Sequence, residues 1–132
     1  MSEKPATILV TGGTGLVGSA IQWAVHNISG PFGREQNENW VFLSSKDADL
    51  RVYDQTKSVF DKYRPEKVIH LSARVGGVFE NSLRMADFVR DNLYIDQNVL
   101  RVCHELGVSP GLLCLPGLAF LASTDTVCRS KK

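Results

Sequence analysis

Apolar positions along the chain alternate between short β-branched runs and stripes at helical spacing. The first run, Ile8-Leu9-Val10, is followed from Leu16 to about Asn27 by a helix-forming stretch with Ala20, Ile21, Ala24 and Val25 on one face. The segment from Ser29 to Asn39 is polar and contains glycine, and it leads into Trp40-Val-Phe-Leu43, so a loop and a second strand are expected. Asp54 to Tyr63 carries Val59, Phe60 and Tyr63 at helical spacing and stops at Arg64-Pro65; Lys67 to Ser72 then reads as a buried strand. A longer helix is predicted over roughly Leu83 to Leu106, with Phe88, Leu93, Ile95, Val99, Val102 and Leu106 as its main apolar positions and Gly107 as its stop. Gly111 to Leu115 is the next strand. Strands alternating with helices of this length predict an α/β fold with a parallel sheet of about four strands, flanking helices and right-handed crossovers.

The turn after the first strand carries the most specific chemistry. Thr11-Gly-Gly-Thr-Gly-Leu-Val-Gly18 places Gly12, Gly15 and Gly18 at three-residue steps between a strand and a helix. In a dinucleotide-binding turn the first glycine lets the chain leave the strand sharply, the second lets backbone approach a pyrophosphate, and the third lets helix pack on sheet. The helix N-terminus then faces the phosphates with unpaired N–H groups and its positive dipole end. The strand before it and the helical face after it supply the context such a triplet needs, so the fold reads as Rossmann-type. Gly12, Gly13, Thr14, Gly15, Leu16, Val17 and Gly18 are therefore candidate cofactor-binding residues.

Where an acidic residue often meets the adenosine ribose of NAD, at the end of the second strand, this chain has Ser44-Ser45-Lys46. Two hydroxyls and an ammonium satisfy a 2′-phosphate that a carboxylate would repel, which favours NADP. The alternative for Lys46 is a solvated loop lysine. Asp49 and Leu50 follow, a carboxylate able to accept from the adenine amino group and an apolar side chain able to cover the ring; a local turn residue is the alternative for the aspartate.

Bulk properties narrow the rest. The chain has 132 residues, 43% of them hydrophobic, and a net charge of +1 from 15 basic and 14 acidic residues that are interspersed. One domain with an ordinary core is expected, with no nucleic-acid partner and no membrane span. Met-Ser-Glu-Lys-Pro at the start does not resemble a secretory signal, so a cytoplasmic location is the default. Cys103, Cys114 and Cys128 are odd in number and lack metal-ligand spacing, which fits reduced thiols. His70 within a strand reads as a hydrogen-bonded structural histidine. Tyr53 and Lys57 stand at the four-residue step of a catalytic tyrosine–lysine pair, yet their place after the second strand makes them a decoy.

Beyond the glycine turn, Trp40-Val-Phe-Leu-Ser-Ser-Lys-Asp-Ala-Asp-Leu50, Val68-Ile-His-Leu-Ser-Ala73, Val75-Gly-Gly77, Asp87-Phe88, Asn92 and Asn98-Val-Leu100 together resemble the GDP-L-fucose synthase family of extended short-chain dehydrogenase/reductases. The resemblance spans most of residues 7 to 107. It implies an NADPH-dependent epimerase/reductase acting on GDP-4-keto-6-deoxy-D-mannose, a GDP-sugar. It also implies that Leu71, Ser72 and Ala73 line the nicotinamide-side ribose and phosphates, that the Val75-Gly-Gly77 loop lies near substrate, and that the helix from Leu83 to Leu106 makes dimer contacts. The family's catalytic serine aligns with Pro116 and its acid/base cysteine with Leu118, while its tyrosine–lysine pair and sugar-nucleotide region would lie beyond Lys132. Residues 1 to 115 are thus expected to form a partial NADP-binding domain, with no catalytic residue, followed by a divergent, irregular tail from 116 to 132. A truncated form of the enzyme is the leading expectation; the alternatives are a non-catalytic NADP-binding or dimer-interaction module and an unstable truncation product.

Overall fold

A computed structural model describes residues 4–31, 33–115 and 118–120. In chain order the elements are β1 (Ala6–Thr11), α1 (Leu16–Asn27), β2 (Glu38–Phe42), α2 (Tyr53–Tyr63), β3 (Lys67–His70), α3 (Val78–Leu83), α4 (Met85–Leu106), β4 (Ser109–Leu115) and β5 (Leu118–Phe120). The sheet order is β2-β1-β3-β4-β5, with β1 at the centre of a parallel β2-β1-β3-β4 array and β5 antiparallel to β4. Parallel neighbours need crossovers, and the helices supply them.

β1 is the most deeply set strand. Leu9 and Val10 are fully buried and Ile8 nearly so, which means both faces of the strand are covered, as its unbroken apolar run requires. Leu9 joins Val68 of β3, Val59 and Phe60 of α2, and Ile95, Val99, Val102 and Cys103 of α4 in one core, closed by Leu43 and Leu50. α2 ends where Arg64 adopts a left-handed conformation before Pro65, and α4 ends on Gly107 in the same region, with the Val108 N–H reaching back to the Cys103 carbonyl.

Four differences from the sequence reading have physical causes. The helix predicted over 83–106 is α4, at Met85–Leu106, but a short helix not predicted, α3, precedes it; Arg84 leaves helical geometry between them (φ −128°, ψ 32°), the last cap of α3 and the first of α4. α3 spans only six residues, too few for a periodic apolar stripe to declare it. Leu93 shares the apolar stripe by spacing but is 62% exposed, on a face with Met85, Val89 and Tyr94 that turns away from the core. β3 stops at His70, two residues early, since Leu71 shares its N–H between the Thr11 carbonyl and hydroxyl and Ser72 gives its N–H to that hydroxyl, which ends the ladder. Within the stretch expected to be irregular, Leu118–Phe120 pairs with β4, so the described residues contain five strands; Pro116 and Cys128 lie outside them. No helix of the described residues is long and apolar enough to cross a membrane.

Candidate functional site

The carboxyl ends of β1, β2 and β3 open into one cleft of about 840 Å³. In parallel α/β sheets this is where ligands bind, outside the strand ends and at the point where strand order reverses about β1. Its wall takes Gly12, Thr14, Gly15, Leu16, Val17 and Gly18 from the first turn, Ser44, Ser45, Asp49 and Leu50 from beyond β2, and Leu71, Ser72 and Ala73 from beyond β3. Thirteen of the fifteen predicted cofactor residues thus converge, from three separate parts of the chain.

The glycine turn is built by close approach. Gly12 has φ +67°, and a Cβ there would meet the Leu71 carbonyl carbon and Ser72 nitrogen at 2.9 Å. A Cβ on Gly18 would lie 2.3 Å from the Gly12 carbonyl oxygen, so the start of α1 rests directly on the turn. Gly15 differs: only the Gly12 oxygen, at 3.3 Å, stands near its missing Cβ. Its open side faces the cleft. Gly15 is also the N-cap of α1, and among the described residues no side chain caps that end and no acidic residue occupies its first turn. The first N–H groups of the helix are therefore left to an anion from the cleft, which is the chemistry a pyrophosphate satisfies.

Gly13 and Lys46 stand outside the wall. Gly13 is committed to packing, since its N–H donates to the Leu43 carbonyl at 2.8 Å and a Cβ would strike Phe42 at 2.6 Å. Lys46 lies exposed on the turn after β2. That turn is tied by Asp47, whose Oδ2 accepts both the N–H and the hydroxyl of Ser44, at 2.6 and 2.9 Å. These two bonds hold the Asp47 carboxyl below the usual range, the backbone donor contributing most. The Asp47 N–H closes the turn by donating to the Ser44 carbonyl at 3.1 Å.

His70 explains why the third lip is ordered. It is fully buried, and its Nδ1 lies 2.6 Å from Thr11 Oγ1. Because Thr11 Oγ1 already accepts the N–H groups of Leu71 and Ser72, at 3.2 and 3.3 Å, its own proton goes to Nδ1. The Nε2 proton then donates to Asp96 Oδ1 at 3.1 Å. One buried chain therefore joins β1, β3 and α4 and fixes the backbone at the cleft. His70 is structural, as its position in a strand suggested.

Residues the sequence reading did not single out as site residues complete the wall. Arg51 and Arg74 line it, together with Leu43, Ala48, Val75 and Ile95. Behind them α4 holds both outer lips: Asn98 donates to the Leu50 carbonyl at 2.9 Å, and Asn92 accepts the Arg74 N–H at 2.6 Å and donates back to its carbonyl at 3.0 Å. Arg51 donates to both oxygens of Asp49 and holds its carboxyl below the ordinary range. Tyr53 and Lys57 face elsewhere. The Tyr53 hydroxyl donates to Glu105 at 2.5 Å under the Arg101 guanidinium, and Lys57 pairs with Asp61 at 3.2 Å.

A family model described as the NAD dependent epimerase/dehydratase family matches residues 8–127. The chain belongs to that family. Among curated members it is 43% identical over 114 residues to the GDP-L-fucose synthase of Dictyostelium discoideum, covering 86% of this chain and 34% of that protein. It is 43% identical over 118 residues to a probable GDP-L-fucose synthase of Drosophila melanogaster, covering 89% and 35%. The chain thus spans about a third of the length of the curated relatives it matches. A crystal structure of a GDP-L-fucose synthetase from Naegleria fowleri bound to NADP superposes with a TM-score of 0.65 at 45% identity, over 80% of this chain and 32% of that one. The sequence resemblance and the family agree.

Proposed function

We propose that the cleft binds NADP(H) and that the chain is the cofactor-binding part of a GDP-L-fucose synthase, an epimerase/reductase that converts GDP-4-keto-6-deoxy-D-mannose to GDP-L-fucose. The observation that carries this is the convergence of Gly12 and Thr14 to Gly18, of Ser44, Ser45, Asp49 and Leu50, and of Leu71 to Ala73 on one cleft at the reversal of strand order. The uncapped N-terminus of α1 fits the pyrophosphate, and the open side of Gly15 leaves room for it. Ser45 and the exposed Lys46 ammonium are the donors available to a 2′-phosphate, the Ser44 hydroxyl being given to Asp47; Leu50 covers the adenine and Asp49 accepts from its amino group. Leu71, Ser72 and Ala73 run past the nicotinamide half. NADP(H) supplies the hydride chemistry, and these residues bind and orient it. We assign no catalytic residue to this chain, because the positions matching the family's serine and cysteine hold Pro116 and Leu118. The reading carries a cytoplasmic location with it.

A second reading, an interaction module, is favoured by one observation. Met85, Val89, Leu93 and Tyr94 form an exposed apolar face of α4, on the side away from the core. It suits pairing with a second subunit.

Calorimetric titration of the folded chain with NADPH and with NADH tests the first reading. Saturable binding, tighter for NADPH, is expected. A chain folded by circular dichroism that binds neither would overturn it.

A further inference from the structure

Asp91 is the one carboxylate of α4 that meets both arginines of the cleft wall. Its side chain is 4% exposed. Its Oδ2 accepts from Arg51 Nη1 at 3.3 Å and from Arg74 Nη1, while its Oδ1 accepts from Arg90 at 3.1 Å. Arg51 continues outward to Asp49, at 2.8 Å through Nη2 and 3.0 Å through Nε. Arg74 is held on its other side by the Phe88 ring, 4.8 Å below its guanidinium. Asp49 and Arg51 belong to the lip beyond β2, Arg74 to the lip beyond β3, and a single oxygen of Asp91 joins them.

Resting on the NADP(H) reading, we propose that Asp49, Arg51, Asp91 and Arg74 form a charged strap across the base of the cleft that sets the spacing of its two outer lips. Asp91 is its positioning residue. The ligand class is a dinucleotide, whose adenine end meets Asp49 and Leu50 while its other half passes Leu71 to Arg74. Removing a guanidinium leaves a buried carboxylate short of a partner, which is costly, so the pairing holds both arginines toward Asp91. The guanidiniums in turn hold Asp91 below the ordinary carboxylate range, Arg74 contributing most and burial opposing. Because the strap acts as a unit, breaking it at either lip disturbs the other. The backbone bonds from Asn92 and Asn98 remain when an arginine side chain is removed, so the lips stay formed and only their relative setting loosens.

The test uses Arg51→Ala, Arg74→Ala and the double variant of the full chain, titrated with NADPH and with adenosine 2′,5′-bisphosphate, which carries the adenine half alone. Circular dichroism is recorded on each sample. Each single variant is expected to weaken NADPH binding by about tenfold and the double variant by no more than about the same, the non-additivity of groups in one network. Arg74→Ala is also expected to weaken the bisphosphate, although Arg74 belongs to the other lip. Asp91→Asn should reproduce the loss and Asp91→Glu restore part of it; if either fails to fold, the arginine variants decide. Additive losses, or bisphosphate affinity untouched by Arg74→Ala, would overturn the strap while wild-type NADPH binding stood. A folded wild-type chain that binds neither nucleotide would overturn the cofactor reading and the strap with it.

Discussion

The two helices nearest β1 in sequence are held by different means. α2 buries Thr56, Val59 and Phe60 and shares one core with α4, whereas α1 buries only Gly18 and leaves Leu16 92% and Trp23 63% exposed. One side of the molecule is stabilised by apolar side chains removed from water, the other by backbone-to-backbone approach at a glycine turn. The side that rests on glycine is the side that faces the cleft. A helix held by few side chains keeps its N-terminal N–H groups and its first-turn backbone free for a ligand. It also depends most on that ligand for order, since whatever binds the folded form stabilises it.

Truncating an aromatic side chain of each helix should separate the two sides. Phe60→Ala in the core is expected to cost about 3–5 kcal/mol, read as a lower midpoint in urea, while Trp23→Ala on α1 should stay within about 0.5 kcal/mol. A large loss at Trp23 would show that α1 is packed as α2 is.

The glycines sharpen the contrast within the turn. Gly18→Ala places a Cβ 2.3 Å from the Gly12 oxygen and should cost about 1–3 kcal/mol by overpacking. Gly15→Ala meets only one atom, at 3.3 Å, so its stability should change little while NADPH affinity falls by about tenfold, a loss of about 1.4 kcal/mol. Calorimetry beside urea denaturation distinguishes them; a Gly15 variant that unfolds yet binds normally when folded would reverse their roles.

Acid titration probes the cleft side. Asp47, Asp49 and Asp91 all have carboxyls held below the ordinary 3.8. A depressed folded value stabilises the chain fully above that ordinary value, and the contribution is lost as pH falls below it and through the folded value. Stability from these groups is therefore expected to be level from neutral pH down to about 4 and to drop below. Asp91→Asn should flatten part of the drop, and an unchanged acid profile would contradict the pairing. The smallest effect is expected at Cys103, buried in the core with its thiol pushed up to about 11 by desolvation: at neutral pH its peptide should resist alkylation until the chain is unfolded.

The same contrast accounts for what the sequence disclosed. The glycine turn was legible because its constraint is local: a positive φ at Gly12 and a helix resting on it at Gly18 need glycine at those positions. The strands and α2 were legible from apolar periodicity, which burial imposes. Arg51, Arg74 and Asp91 were not, because a charge pair across 40 residues leaves no spacing signal and each residue alone looks like a solvated charge. Asn92 and Asn98 entered only through the family resemblance. Their mutual spacing says nothing of the loops they hold. The short helix α3 was missed for a different reason, since six residues are too few to show a periodic stripe.

Amide hydrogen exchange with and without NADPH tests the account most directly. Binding should slow exchange at Gly15 to Ser19, the first turn of α1, and at Ser44 to Arg51 and Leu71 to Arg74, leaving the exposed face of α4 around Val89 and Leu93 unchanged. NADPH binding that leaves the first turn of α1 unprotected would contradict the central claim that this glycine-held helix end is the phosphate site.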